Sequence, residues 1–144
     1  MKPEFMKKAL ELAETSGKDI PVGAVIVKDN KIISFAVNER EKLQNATGHA
    51  EILAIQKANK ILGNWHLNDC EIYVTLEPCP MCASAIVQAK IKSVYFGAYD
   101  MLNGAFGSKT DMCQIMGIPI NVKGGIMEED CSKILKDYFS KIRN

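Results

Sequence analysis

An α/β fold, built on a mixed sheet covered by helices on both faces, is predicted by three features of this 144-residue chain. Helical and extended periodicities alternate along it. Two extended runs are separated by a hairpin-type turn, and later extended runs are separated by helical ones. A hairpin makes an antiparallel pair, whereas strands joined through a helix are parallel neighbours, so a sheet holding both is mixed. Crossover helices then lie on its faces.

Each element has its own signal. Residues 5–14 place Phe5, Met6, Ala9, Leu10, Leu12 and Ala13 at helical spacing, and Ser16 and Gly17 end the run. VGAVIV at 22–27 and IISFAV at 32–37 are strands, and Lys28 to Lys31, with Asp29-Asn30 at the centre, form their turn. Residues 38–48 are polar and aperiodic, which predicts a surface loop. Ala50, Leu53, Ala54, Ala58 and Ile61 mark a helix over 49–61 that Gly63 stops. EIYVTL at 71–76 is a strand. Pro78 and Pro80 force a non-helical entry, with Pro80 suited to the first position of the short helix MCASAIVQA. SVYFG at 93–97 is the fourth strand. Residues 100–119 hold three glycines and one proline, a long loop with room for a short helix. INV at 120–122 is a weak fifth strand. Glu128 to Ile142 is a C-terminal helix, with Glu128, Glu129 and Asp130 in its first turn and Lys141 and Arg143 at its end, as the helix dipole prefers.

The length suits one domain over residues 1–144. No run of about 18 apolar residues exists to span a membrane. The start, MKPEFMKKAL, has neither the apolar core nor the cleavage site of a signal peptide, so a cytoplasmic protein is expected. A net charge of +1 excludes a wholesale polyelectrolyte binder but not a local basic patch. Five cysteines, an odd number, argue against a disulfide framework, and the scattered Cys70, Cys113 and Cys131 read as small core side chains.

Two fragments carry chemistry: GHAE at 48–51 and LEPCPMC at 76–82. A lone CxxC is a redox pair, a zinc half-site or nothing. No aromatic-Cys-Gly-Pro-Cys arrangement follows a first strand, and there is no second CxxC for a four-thiolate site. His49 with Cys79 and Cys82 makes a three-ligand set that leaves the fourth position of tetrahedral zinc open, the mark of a catalytic site. A helix start around Cys79 and Cys82 lowers thiol pKa values. Glu51, two residues after His49, shares no helical face with it, which suits a proton shuttle rather than a fourth ligand.

HAE followed by PCPMC resembles the zinc-dependent nucleobase deaminase signature, H-x-E…P-C-x-x-C. Within that superfamily the chain is similar to bacterial tRNA adenosine deaminases, through IPVGAVIV (20–27), GHAEILAI (48–55), LNDCEIYVTLEPCPMCASAI (67–86) and SVYFGAYD with GAFGS (93–108). The resemblance implies a three-layer α/β/α cytidine-deaminase-like sandwich around a mixed five-stranded sheet, and a homodimer with one zinc ion per subunit held by His49, Cys79 and Cys82. It implies that Glu51 moves protons during attack on C6 of adenine, and that the Cys79 backbone N–H donates to the oxygen at the metal's fourth position. Asn38, eleven residues before His49, matches an asparagine that bonds the nucleoside. Pro21 and Val22 match residues packing against the base, Ala50 is placed with them in the substrate pocket, and Glu77 orders the metal loop. The implied partner is a tRNA anticodon loop, with deamination of adenosine to inosine at the wobble position. The alternative is a free nucleobase or nucleoside, guanine, cytosine or adenosine.

The chain departs from the family's pattern at Gly48, where Ala is usual, and at Tyr99 and Leu102, where Arg and Lys are usual. The last two remove phosphate contacts and favour the alternative substrate class. Tyr99 and Phe106 either stack on a base or pack in the core, His66 is a surface or hydrogen-bonding residue or else a contact near the substrate mouth, and Trp65 packs between helix and strand. Lys133, Lys136, Lys141 and Arg143 form a basic stripe for RNA or a solvated helix face.

Overall fold

The computed structural model describes the backbone of residues 1–143 and the side chains of residues 1–142. Its elements are α1 (Pro3–Ala13), β1 (Gly23–Lys28), β2 (Lys31–Val37), α2 (Arg40–Leu43), α3 (Ala50–Leu62), β3 (Cys70–Leu76), α4 (Pro80–Gln88), β4 (Ser93–Ala98), α5 (Met112–Met116), β5 (Asn121–Lys123) and α6 (Glu128–Arg143). The strands form one sheet in the order β2-β1-β3-β4-β5. β1 is antiparallel to β2 and β3, whereas β3, β4 and β5 run parallel. The mixed five-stranded sheet flanked by helices is the predicted sandwich.

Strand alternation builds two cores. Ala24, Ile26, Ile72, Val74, Val94 and Phe96 face one side, where α3 and α4 add Ala54, Ala58, Ala83 and Ile86. Val25, Val27, Tyr73 and Tyr95 face the other, against Phe5, Met6 and Ala9 of α1 and Cys131 of α6. A fully buried side chain such as Ile72 or Ile86 contributes about 1.5–3 kcal/mol. The β1–β2 hairpin closes through Asp29 and Asn30, whose φ values of 51° and 63° give the left-handed pair that a two-residue turn requires.

Close approach of α6 to the sheet depends on Gly97. A Cβ there would collide with the Cys131 side chain and stand 2.7 Å from the Thr75 carbonyl oxygen. Gly97→Ala should therefore destabilise by about 1–3 kcal/mol. A thermal melt is expected to fall by about 2–4 °C per kcal/mol for a chain near this size.

Two short helices stand within the segments read as loops: α2, which was not expected, and α5, the short helix for which residues 100–119 left room. α2 is held by tertiary contacts: Asp19, 21 positions before Arg40 in the chain, accepts the Glu41 and Lys42 N–H groups at 2.9 and 3.2 Å. α5 has local signals, because Asp111 accepts the Cys113 N–H at 3.0 Å and Gly117 ends the helix at φ 69°. Trp65 does not pack between helix and strand; it is 57% exposed and stacks on His66, with ring centroids 3.7 Å apart. The basic residues of α6 do not form one stripe. Lys136 and Lys141 are separated by about 140° around the helix, and Lys133 pairs with Asp137 at 2.9 Å. The Arg143 side chain lies outside the described residues.

Topology fixes where a site can form. β2, β3 and β4 all point the same way, so Asn38, Glu77–Cys79 and Asp100 emerge at one edge of the sheet. The chain entering β1, at Ile20–Val22, passes the same edge. Ligands of open α/β sheets bind outside the carboxyl ends of strands, as this placement requires.

Candidate metal centre and its cavity

Two helix N-termini converge on this edge. His49 is the N-cap of α3 and Cys79 the N-cap of α4, and neither side chain caps its own helix. Both are turned toward each other instead. His49 Nδ1 lies 3.6 Å from Cys79 Sγ and 3.3 Å from Cys82 Sγ, and the three ligand atoms lie within 4.8 Å of one another. A tetrahedral zinc with ordinary Zn–S and Zn–N bond lengths needs N···S edges of about 3.6 Å. The residues fit such a metal.

The local sequence explains how the helices tolerate uncapped starts. Asn38 Oδ1 accepts the first helical N–H of α3, from Ala50, at 2.8 Å, while Asn38 Nδ2 donates to the Ile20 carbonyl at 3.1 Å. At α4 the first helical residue is Pro80, which has no N–H to satisfy. Both ligand side chains are thereby free to face the metal position. The Cys79 N–H has no acceptor among the described residues.

The thiols are strongly coupled. A hydrogen bond from the Cys82 thiol, aided by His49 and the Cys82 N–H, holds Cys79 well below the usual thiol range, at about 4. Cys82 is pushed up by the same bond to Cys79 and by burial. Cys79 is thus lowered as expected, though chiefly by the Cys82 thiol rather than by the helix start, and Cys82 is raised instead of lowered. His49 is raised, chiefly by its hydrogen bond with Cys79. Glu51, in the first turn of α3 and 4% exposed, is raised to about 7 by burial.

A cavity of about 730 Å³ opens onto this cluster. His49, Cys79 and Glu51 line it, and fully buried Cys82 lies behind them. Val22, Asn38 and Leu76 form further wall, with Asp100 and Asn103 from the loop after β4. Pro21 is buried and Ala50 fully so; neither lines the cavity, and Ala50 reaches the site through its N–H to Asn38. Phe106 is in the core, and Tyr99 packs edge-on against Phe96, so neither forms cavity wall. His66 is also absent from the wall. Sequence reasoning missed Asp19, Arg40, Asp100, Asn103 and Tyr138, all on the wall or rim. Only Asp100 had a local signal, lying two residues after the end of β4.

A cluster of three ligand atoms beside a buried carboxylate fits the hydrolytic metalloenzymes, because structural sites close all four positions with protein ligands. Comparison with known proteins narrows that class. The model of the cytidine and deoxycytidylate deaminase zinc-binding region matches residues 1–98. The tRNA-specific adenosine deaminase of Bacillus subtilis is 39% identical over 96% of this chain and 89% of its own. A solved structure from work on A-to-I editing by tRNA:A34 deaminases at the wobble position of transfer RNA superimposes with a TM-score of 0.86 at 36% identity, over 93% of this chain and 100% of that one. The guanine deaminase of Bacillus subtilis gives a TM-score of 0.65 at 45% identity, over 69% of this chain and 66% of that one. The chain belongs to the cytidine and deoxycytidylate deaminase family, and within it is similar to the tRNA-specific adenosine deaminases.

Proposed function

We propose that this chain is a single catalytic domain, residues 1–144, that hydrolyses adenosine to inosine at the wobble position of tRNA with release of ammonia. The observation that carries the reading is the buried Glu51 carboxylate beside an open three-ligand cluster on the cavity wall. Similarity along nearly the whole chain supports the tRNA substrate.

His49 Nδ1, Cys79 Sγ and Cys82 Sγ would hold one zinc ion per subunit. Zinc, when bound, supplies the Lewis acidity that makes water a nucleophile near neutral pH. Glu51 takes the proton of the attacking water and delivers it to the purine ring nitrogen. Once the C6–O bond has formed, Glu51 takes the remaining proton from the new C6 hydroxyl and passes it to the amine, which leaves as ammonia as the C6–N bond breaks and C6 becomes a carbonyl. Burial, which raises Glu51 in the metal-free chain, favours a carboxyl that both takes up and gives up a proton. The Cys79 N–H, which has no acceptor among the described residues, would donate to the developing negative charge. Asn38 Oδ1 is occupied by α3, which leaves the second N–H of Nδ2 for the base, and Val22 packs against the ring with buried Pro21 and Ala50 as support. Exposed Lys18 and Arg40 on the cavity rim would meet phosphates. The protein would act as a homodimer in the cytoplasm; among the described residues no helix is long and apolar enough to cross a membrane.

A second reading, deamination of a free base such as guanine, is favoured by the likeness to guanine deaminase and by the cavity's charge. Two basic residues line it, Lys18 and Arg40, against five acidic ones, Asp19, Glu41, Glu51, Glu77 and Asp100. One assay separates the readings: ammonia release from intact tRNA, its anticodon stem-loop, adenosine, guanine and cytosine. The proposal expects inosine in both RNAs and a severe loss of kcat/KM on free adenosine, because remote binding energy is gone. RNA binding should weaken with salt, with a log–log slope of about 0.7 per phosphate contact. Ready turnover of a free base with no inosine in either RNA would replace the proposal by the second reading.

A further inference from the structure

Glu77 is 2% exposed and makes no ion pair among the described residues. A buried carboxylate is costly unless its oxygens are satisfied. Here Oε1 accepts the Asp100 N–H at 3.2 Å and the Ser108 hydroxyl, while Oε2 accepts the Phe106 and Ser108 N–H groups, each at 3.1 Å. All four donors come from the loop after β4, so that loop is wrapped around one carboxylate. Gly104 permits the closeness: a Cβ there would stand 2.6 Å from Glu77 Oε1. Two backbone bonds complete the union, Glu77 N–H to the Ala98 carbonyl at 2.9 Å and Ala105 N–H to the Pro78 carbonyl at 2.8 Å. The segment that delivers Cys79 and the loop that brings Asp100 and Asn103 to the cavity are therefore one unit. Asp100 Oδ1 is used within the loop, accepting the Leu102 and Asn103 N–H groups at 3.1 and 3.0 Å. Oδ2 has no hydrogen-bond donor among the described residues.

We propose that Glu77 is the positioning residue of the substrate wall: its carboxylate fixes Asp100 and Asn103 relative to the metal ligands, and those two side chains hold the polar edge of the substrate. The kinetic half of this proposal rests on the deaminase reading; the structural half does not. Glutamine is a sharp probe because it offers one acceptor oxygen and one NH₂ group. Its best placement keeps oxygen toward the Phe106 and Ser108 N–H groups and turns NH₂ toward the Ser108 hydroxyl, which can rotate to accept. That placement sets NH₂ against the Asp100 N–H, donor against donor. The cavity end of the loop is loosened and the rest is kept.

The test uses the full, metal-loaded chain. In Glu77→Gln, amide exchange at Asp100 should quicken by about tenfold or more, with Phe106 and Ser108 little changed and metal content intact. KM for the substrate identified by the ammonia assay should rise about 10- to 100-fold with kcat nearly unchanged, as misplaced binding groups predict. In an Asp100→Ala, Asn103→Ala background the same substitution should add almost nothing, since Glu77 acts through those residues. Should Glu77→Gln fail to fold, Ser108→Ala, which removes only the hydroxyl donor, should raise KM in the same direction by less. Unchanged exchange at Asp100, a fall in kcat at constant KM, or full additivity in the combined variant would each overturn the proposal. If no compound is turned over, the deaminase reading fails, while exchange at Asp100 still decides whether Glu77 holds the wall.

Discussion

Glu51→Gln is expected to give a folded, metal-loaded protein whose kcat is lower by at least about 10²–10⁴-fold, the loss typical of one general acid–base group. Glutamine has nearly the same shape and fills the same buried site in α3, so packing against the core survives. What it cannot do is take up a proton, and the proposed reaction uses that capacity twice. The metal-free protein gives an independent reading. Burial raises Glu51 to about 7, so the folded state favours the protonated acid. Stability from this group is complete below the ordinary carboxylate pKa and is lost as pH rises through about 7. Glutamine does not titrate, so the metal-free variant should gain melting temperature relative to the wild type between about pH 5 and about pH 8. Wild-type turnover in Glu51→Gln would end the assignment. Loss of metal from it would recast Glu51 as a residue that builds the site.

The cluster of His49, Cys79 and Cys82 was legible because its chemistry is local and rare. One histidine beside a carboxylate and a CxxC after a strand leave few alternatives, and Pro80 announces where the second helix starts. The sheet was legible for the same reason: VGAVIV and EIYVTL are buried on both faces, which only a covered central strand allows. α2 was not legible. Its cap is Asp19, and that contact exists only after β1 and β2 bring the two segments together. Trp65 was misread because size and apolarity favour burial, yet the turn after α3 leaves it on the surface against His66. Asn38 shows a further limit. The resemblance to the deaminases marked it as a nucleoside contact, but only the fold reveals that its Oδ1 caps α3 and frees His49 for the cluster. Glu77 was expected to order the metal loop. In the fold its carboxylate accepts four donors of a second loop, which have no sequence signature.

Cys82→Ala is expected to have the largest effect on the whole molecule, because Cys82 is the fully buried corner of the cluster. A tetrahedral site reduced to one imidazole and one thiolate loses most of its affinity, so metal content should fall toward zero and turnover with it. Stability should fall too, since a ligand that binds only the folded state stabilises it by about 4 kcal/mol at 1,000 times its Kd. For a chain near this size that corresponds to a drop of about 8–16 °C in Tm. Some of any drop would come from the small cavity left by the sulfur, and a chelator separates the two causes. Chelation should lower the Tm of the wild type and leave Cys82→Ala unmoved. Cys131→Ala is the control: Cys131 is equally buried but packs against Gly97 on the opposite face of the sheet. That variant should lose stability while keeping one metal per chain and its response to the chelator. A full metal complement in Cys82→Ala, or an equal chelator response in Cys82→Ala and the wild type, would mean that the metal is held by other residues.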